Sequence, residues 1–346
     1  MSLTLASSVG AAAGSNALLR RLLERMASSG AASTFAVNNP ANGAVIAQVP
    51  DLGAAETERA ITLANTAQPA WAALTARERS TLLRRWHDLI MSFEQELGEI
   101  LTLEQGKPVA EARREVTFNA SYIEWFAEEA KRAYGDVIPT GASSRRQIVV
   151  RQPVGIVGAI TPWNFPSGMI TRKAAPALAA GCVIILKPSD ETPLSALALE
   201  CLAEDAGFPA GVFQVITSKQ PAPVADVLTS DPRVRKISFT GSTRIGKLLM
   251  RQSSDTMKRL SLELGGNAPF IVFEDADIDA AVAGAMVAKF RNAGQTRICA
   301  NRILLHASIR DQFLEKFIAA AEAMNVADGF DPASDMGPMI NAAAKT

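Results

Sequence analysis

The sequence is poor in the residues that build disulfide frameworks and metal centres. Its 346 residues include three cysteines, Cys182, Cys201 and Cys299, and two histidines, His87 and His306. These residues form no zinc-ligand cluster. Two histidines also offer few candidates for the base of a Ser-His catalytic site. The few thiols favour a reducing compartment, so we expect a cytoplasmic protein without a metal.

Long hydrophobic runs and an excess of one charge are also absent. No apolar stretch approaches the roughly 20 residues that a membrane-spanning helix needs. The 35 Lys and Arg residues balance the 35 Asp and Glu residues, which implies neither a nucleic-acid partner nor a membrane surface. A chain with 48% hydrophobic and 20% charged residues suits a globular protein of about two domains.

Residues 1–34 are rich in Ala, Ser and Gly, with several arginines near leucines and the single acid Glu24. An organellar presequence has a similar composition. We favour a flexible N-terminal extension, because the features of a secretory signal are missing.

Three helical stretches are predicted next, over about 56–74, 76–105 and 110–133. Segment 135–153 then places two extended runs around a polar turn, which predicts a hairpin. Such an arm suits a subunit contact and equally an edge hairpin of the same domain.

From Val154 onward, short apolar runs alternate with helical patterns. This alternation predicts an α/β fold with a doubly wound, mostly parallel sheet. Ligands then bind at the carboxyl ends of the strands. The predicted strands lie at 154–160, 182–187, 212–217, 235–240, 259–264, 268–273 and 302–306, and the predicted helices at 167–179, 194–206, 222–229, 242–253, 278–292 and 310–324.

Two of these strand ends carry groups suited to catalysis. Strand 259–264 contains the lone carboxylate Glu263, and the glycines after it allow close approach of a ligand; an exposed strand end is the plainer alternative. Strand 154–160 runs into Thr161–Pro166, where two prolines fix the chain around Asn164. Its amide suits a developing oxyanion, although an ordinary strand-to-helix turn fits equally well.

Two other strand ends suit a dinucleotide. Lys187 can contact ribose hydroxyls, and the nearby Asp190 disfavours a 2′-phosphate, which favours NAD slightly over NADP. Ser242, after Gly241, is a good N-cap for a helix whose free N–H groups bind pyrophosphate. A plain capped helix is the alternative, because the G-x-G-x-x-G fingerprint is missing.

With these four motifs in order, the chain resembles an aldehyde dehydrogenase from about residue 36 to its last residue, and it is most similar to the succinate-semialdehyde branch. The resemblance implies a Rossmann-like dinucleotide-binding domain at 35–134 and 154–262, an oligomerisation arm at 135–153 and an incomplete catalytic domain at 263–346. It also implies oxidation of a small semialdehyde with NAD or NADP through a cysteine thioester, a role in GABA degradation, and a homo-oligomer in the full-length family.

The resemblance assigns roles to individual residues. Asn164 would supply the oxyanion donor and Glu263 would activate water. Arg172 and Arg291 would hold the remote carboxylate of the substrate, with a pair of surface arginines as the alternative. The residues assigned to the dinucleotide are Thr161, Pro162, Trp163, Lys187, Ser189, Asp190, Phe239, Thr240, Gly241, Ser242, Ile245, Leu264 and Gly265.

The sequence departs from the family at its nucleophile. The position of the catalytic cysteine holds Arg297, whose guanidinium stays protonated and cannot form a thioester. Cys299, two residues after Arg297, matches a second cysteine that many semialdehyde dehydrogenases carry. We expect its sulfur to lie too far from the aldehyde carbon to sustain turnover.

The second departure is length, because family members continue beyond Met336–Asn341; we therefore expect exposed apolar surface on the catalytic domain. Three hypotheses follow. The chain is a semialdehyde dehydrogenase in which Arg297 and the early stop are alterations, a non-catalytic binder of dinucleotides or carboxylates, or a fragment without a stable function.

Overall fold

The structure, a computed structural model, describes residues 15–344. In that range the helices are α1 (Ala17–Ser28), α2 (Ala54–Ala73), α3 (Ala76–Ser92), α4 (Glu94–Gln105), α5 (Val109–Glu129), α6 (Pro166–Ala179), α7 (Pro193–Asp205), α8 (Pro221–Ser230), α9 (Thr243–Ser253), α10 (Ile278–Phe290) and α11 (Arg310–Glu322). The strands are β1 (Thr34–Asn38), β2 (Val45–Pro50), β3 (Asp136–Ile138), β4 (Gln147–Val149), β5 (Ile156–Ile160), β6 (Val183–Lys187), β7 (Phe213–Val215), β8 (Val234–Thr240), β9 (Arg259–Glu263), β10 (Ala268–Val272) and β11 (Ala300–Leu305).

A five-stranded parallel sheet forms the centre, in the order β7-β6-β5-β8-β9. This is the order of a doubly wound sheet, in which the strand sequence reverses between β5 and β8. In register, Ile160 lies opposite both Lys187 and Phe239, and Thr240 lies opposite Glu263. The predicted α/β fold is confirmed, and the strand ends meet at one edge.

The local sequence explains this sheet. Strands β5 and β6 are almost continuously buried, as expected for parallel strands covered on both faces. The next two helices begin with Pro166 and Pro193, which fit the first helical position because its N–H has no helical partner. Helices α2, α8 and α9 form one group on the sheet, and α6 and α7 form another with α3, α4 and α5 behind them.

A smaller unit follows the sheet. It pairs β10 with β11 in parallel and packs α10 and α11 around Val272, Val282 and Phe313. Large apolar side chains on this unit are exposed, among them Phe273 and Val287. The expected apolar surface is therefore present.

The predicted hairpin is present as the antiparallel pair β3–β4. All six of its strand residues are exposed. Its role in a subunit contact stays a prediction.

The prediction of a flexible N-terminal extension is wrong for residues 17–28, which form α1. Leu18, Leu19 and Leu22 are buried, and Arg21 pairs with Asp205 on α7 at 2.5 Å. The leucines and arginines of this segment are strong helix formers, and the apolar stripe of the helix packs on the domain. Residues 1–14 of the predicted extension lie outside the described residues.

Two predicted helices differ from those in the structure. The stretch 76–105 is two helices that meet at Phe93, whose backbone leaves helical geometry. The helix predicted over 278–292 ends at Phe290, because Asn292 and Ala293 adopt left-handed conformations with φ of 54° and 55°. No helix within residues 15–344 has the length and apolarity needed to cross a membrane.

Candidate active site

The candidate site lies at the carboxyl edge of the sheet, where loops after β5, β6, β8 and β9 meet. Backbone hydrogen bonds connect these loops in pairs: Thr161 donates to the carbonyl of Lys187 at 3.1 Å, and Gly241 donates to the carbonyl of Glu263 at 3.1 Å. The crevice at the β5–β8 reversal is where this architecture binds ligands.

Asn164 is buried in the loop between β5 and α6. Its Nδ2 donates to the carbonyl of Gln295 at 2.8 Å. Its own carbonyl accepts from Lys107 Nζ at 3.0 Å and from Asn292 Nδ2 at 2.8 Å. The side-chain amide has two N–H donors and two acceptor lone pairs on Oδ1. Oδ1 has no hydrogen-bond partner among the described residues.

The left-handed residues Asn292 and Ala293 direct the chain after α10 onto the sheet edge. Such a conformation costs of order 1–3 kcal/mol for a residue other than glycine. Here it allows the Asn292 N–H to reach Glu111 at 3.1 Å and the Asn292 side chain to reach Asn164. These contacts explain why the helix stops before the sequence pattern does.

Arg297 lies half-buried between two strand ends. Its Nη1 donates to the carbonyls of Gly241 and Glu263, the latter at 3.0 Å. Burial lowers the pKa of Arg297, and the neighbouring charge of Glu263 opposes that shift. The side chain thus binds backbone acceptors at the place where the sequence predicts the nucleophile.

Cys299 is buried away from those contacts. Its Sγ donates to the carbonyl of Lys289 at 3.2 Å, at the end of α10. Neither Asn164 nor Glu263 is among its hydrogen-bond partners.

Glu263 is exposed at the end of β9. Sequence reasoning missed a second ionisable group close to it, Lys173 on α6, which donates to Ser238 Oγ at 3.1 Å. Burial lowers the pKa of Lys173 to about 8, and the negative charge of Glu263 opposes that shift.

The loop after β8 is shaped for close approach. A Cβ on Gly241 would lie 1.9 Å from the Phe239 ring, and a Cβ on Gly246 would lie 2.5 Å from Leu264. Ser242 caps α9 by accepting from the Ile245 N–H at 3.3 Å. The first turn of α9 therefore packs directly on the segment after β9.

The loop after β6 carries the other predicted dinucleotide contacts. Lys187 is buried, and desolvation lowers its pKa while Asp190 opposes the shift. Ser189 Oγ accepts from the Glu191 N–H at 3.3 Å. Asp190 pairs with Lys219 at 3.0 Å, so its charge is compensated, which weakens the argument from repulsion of a 2′-phosphate.

Unpartnered hydroxyls supply a test of whether a dinucleotide fits. The hydroxyls of Thr161 and Thr240 are buried at the reversal point and have no hydrogen-bond partner within residues 15–344. Pro162 and Trp163 are half-buried beside them, and Gly265 has open space above its Cα. Free hydroxyls, a buried lysine and a helix N-terminus fit the ribose and pyrophosphate of NAD(P).

The two predicted substrate arginines contact different aromatic rings. Arg291 lies over the Phe165 ring, 5.2 Å from its centroid, in a cleft of about 820 Å³. Arg172 instead donates to the Tyr122 hydroxyl at 3.0 Å and lies over that ring. It is absent from the lining of the cleft of Arg291.

A family profile described as "Aldehyde dehydrogenase family" matches residues 26–346. The chain belongs to the aldehyde dehydrogenase family. The segment that carries Arg297 contacts both Asn164 and the backbone of Glu263. No group of three or more His, Cys, Asp or Glu side chains suited to a metal occurs in the part of this chain that the structure describes.

Several relatives are more than half identical. The chain is 57% identical over 305 residues to the succinate-semialdehyde dehydrogenase [NADP(+)] GabD of Escherichia coli, covering 88% of this chain and 63% of that protein. It is 55% identical over 311 residues to the glutarate-semialdehyde dehydrogenase of Pseudomonas aeruginosa, covering 90% and 64%. It superposes with a TM-score of 0.89 on an aldehyde dehydrogenase of Brucella melitensis, at 56% identity, covering 90% of this chain and 65% of that one. The chain thus spans less than two thirds of the length of these relatives.

Sequence reasoning overlooked a buried ion pair behind Asn164. Lys107 lies in the turn between α4 and α5 and Glu115 lies in α5, with their charged groups 2.6 Å apart. The available signal was a lysine in the short turn Gly106-Lys107-Pro108, followed by Glu115 among the apolar positions of the next helical stretch.

Proposed function

We propose that the chain has the site architecture for oxidising succinate semialdehyde, or a close semialdehyde, to the carboxylic acid with NAD(P)+. We also propose that the reaction lacks its nucleophile, because position 297 holds Arg instead of Cys. Relatives whose names specify succinate-semialdehyde, glutarate-semialdehyde and 3-sulfolactaldehyde dehydrogenases support this substrate class. Each of these aldehydes carries a second, acidic group.

One observation carries the proposal. The segment 295–297 connects the two groups proposed for catalysis, because Gln295 accepts from the Asn164 amide at 2.8 Å and Arg297 donates to the Glu263 carbonyl at 3.0 Å. Position 297 therefore follows, by two residues, the carbonyl that accepts from the Asn164 amide, and its side chain reaches the backbone of Glu263. An amide donor, a side chain at position 297 and the carboxylate of Glu263 would together supply the groups for attack on a carbonyl carbon followed by hydrolysis.

The residues divide the work by their chemistry. Asn164 would donate its amide N–H to the aldehyde oxygen as charge develops there. Glu263, exposed at the strand end, would take a proton from the water that releases the acid. When bound, NAD(P)+ supplies the hydride acceptor.

Cofactor and substrate contacts belong to the same proposal. The loops after β6 and β8 would hold the adenosine ribose through Lys187 and Ser189 and the pyrophosphate through Ser242. Arg291 would bind the remote carboxylate from its place over Phe165, because a guanidinium binds a carboxylate in bidentate fashion. Arg172 would need to leave Tyr122 to join it.

Arg297 favours a second candidate function, dinucleotide binding without turnover. The guanidinium has no lone pair available for attack, and its contacts to Gly241 and Glu263 hold it at the crevice. A chain with this residue would retain the nucleotide loops and lack the thioester step.

We also propose that the exposed hairpin β3–β4 is a subunit contact and that the protein resides in the cytoplasm. Exposed Val137 and Ile148 support the first proposal, and three free cysteines support the second.

The test compares the chain with its Arg297→Cys variant, using Arg302→Cys as a matched exposed control. Calorimetry measures the binding of NAD+ and NADP+, and absorbance at the reduced nicotinamide band measures turnover of succinate semialdehyde. Turnover in Arg297→Cys alone supports the dehydrogenase proposal. Binding without turnover in any chain supports the second candidate, and absence of binding in all three contradicts both.

A further inference from the structure

The ion pair between Lys107 and Glu115 is almost fully enclosed. Lys107 Nζ lies 2.6 Å from Glu115 Oε2, and the two side chains are 1% and 3% exposed. Moving two charges out of water costs several kcal/mol each, so a buried pair contributes little net stability compared with apolar side chains. Its contacts point to another role.

Both partners of the pair contact the same short stretch of chain. Lys107 Nζ donates a second hydrogen bond to the carbonyl of Asn164 at 3.0 Å. Glu115 Oε1 accepts from the N–H groups of Ser167 and Gly168, at 3.1 and 3.3 Å. The pair therefore holds the chain on both sides of Phe165.

The Phe165 ring is fixed by the same lysine, whose Nζ lies 4.2 Å from the ring centroid. The carbonyl of Asn164 also accepts from Asn292, so two donors fix the orientation of that peptide group. With its backbone fixed, the Asn164 side chain has only its own two torsions with which to aim the amide.

We propose that Lys107 and Glu115 are positioning residues that set the direction of the Asn164 amide. The inference rests on the proposed function, in which that amide stabilises the oxyanion. Lys107 fixes the carbonyl side of Asn164, and Glu115 fixes the start of α6. An oxyanion donor misplaced by a fraction of an ångström loses much of its effect, because stabilisation requires donors about 2.7–3.1 Å from the developing charge.

A double substitution separates positioning from general stability. Lys107→Met/Glu115→Gln removes both charges together, so no unpaired charge stays buried. The glutamine oxygen still accepts from the start of α6, whereas the donor to the Asn164 carbonyl is gone. Lys131→Met is the matched control, because Lys131 pairs with Glu128 at 2.5 Å on the exposed surface.

The first measurement is hydrogen–deuterium exchange of the chain, read on peptides that cover 161–168 and 183–187. We expect exchange in 161–168 to become about tenfold faster in the double variant, the effect of one lost charged hydrogen bond, with no change at 183–187 or in the control. Unchanged exchange at 161–168 would overturn the proposal, and so would equal acceleration in both peptides.

The second measurement uses Arg297→Cys as the parent and p-nitrophenyl acetate as the probe. The thiolate sulfur bonds to the acetyl carbon and p-nitrophenolate leaves, a step that needs an oxyanion donor and no dinucleotide. Adding Lys107→Met/Glu115→Gln should lower the burst rate about tenfold or more, with the half-saturating ester concentration unchanged. An unaltered burst rate would overturn positioning. If the Arg297→Cys parent shows no burst of p-nitrophenolate, the proposed function is contradicted. The hydrogen–deuterium exchange measurement alone then decides whether Lys107 and Glu115 hold the Asn164 segment in place.

Discussion

Arg297 donates a hydrogen bond from Nη1 to the backbone carbonyl of Glu263, at 3.0 Å. The same nitrogen contacts the carbonyl of Gly241. Because Gly241 directly follows β8 and Glu263 ends the neighbouring β9, one guanidinium connects the segment after α10 to the central sheet. The residue at the predicted nucleophile position is thus a structural contact.

Removing this contact should destabilise the chain. We expect Arg297→Met to lower the free energy of unfolding by about 1–2 kcal/mol, because backbone acceptors lose a charged donor. Urea denaturation measures the change. Arg302 is the control, since it also donates to a backbone carbonyl, that of Asn267, but is exposed; Arg302→Met should change stability by less than about 0.5 kcal/mol. Equal losses in the two variants would contradict this prediction.

The glycine at the nucleotide loop gives a second prediction. Gly241→Ala places a Cβ 1.9 Å from the buried Phe239 ring, so the ring or the loop must move. We expect a loss of about 1–3 kcal/mol in the free energy of unfolding together with weaker NAD+ binding by calorimetry. Gly141→Ala is the control, because no atom lies within 4 Å of its added Cβ. If both alanine variants bind NAD+ as the parent does, Gly241 is not part of the nucleotide loop.

The sequence predicted the central sheet well for a physical reason. Strands such as β5 and β6 are buried along almost their whole length, so their short apolar runs in the sequence match the burial that the fold requires. The strand ends with Asn164, Lys187, Gly241 and Glu263 could therefore be placed at one edge before the structure was known.

Long-range contacts could not be predicted in this way. The left-handed Asn292 depends on Glu111, 181 positions away, and α1 is stabilised by packing on α7. The contact of Lys107 with Asn164 spans 57 positions. None of these contacts leaves a periodic signal in the chain, since each depends on which surfaces the fold brings together.

The three cysteines give a prediction about thiol reactivity. Cys182, Cys201 and Cys299 are 4%, 1% and 2% exposed, and reaction requires an accessible thiolate. We expect the native chain to release almost no chromophore promptly with Ellman's reagent and to show three thiols after denaturation. The Arg297→Cys variant should add one promptly reacting thiol in the native state. Prompt reaction of the unmodified chain would contradict the prediction, because it would show that at least one of these buried thiols becomes accessible in solution.

The last prediction concerns Glu104, whose buried carboxyl extends from α4 to the start of α7. It accepts from the N–H groups of Leu194 and Ser195 at 2.7 and 2.8 Å. Burial raises the pKa of Glu104 from 4.5 to about 8, and these hydrogen bonds oppose the shift. Between those two values the folded state binds more protons than the unfolded state, so this group's contribution to stability is lost as the pH rises.

We therefore expect the stability difference between the chain and its Glu104→Gln variant to depend on pH. Between pH 5 and pH 7.5 the free energy of unfolding of the parent should fall relative to the variant, with a slope of up to about 1.4 kcal/mol per pH unit. Urea denaturation at intervals across this range measures it, and Glu315→Gln on the exposed surface of α11 controls for the loss of a carboxyl group. A difference that stays constant with pH would show that Glu104 ionises alike in the folded and unfolded chains, and the helix N-terminus would then outweigh burial at this site.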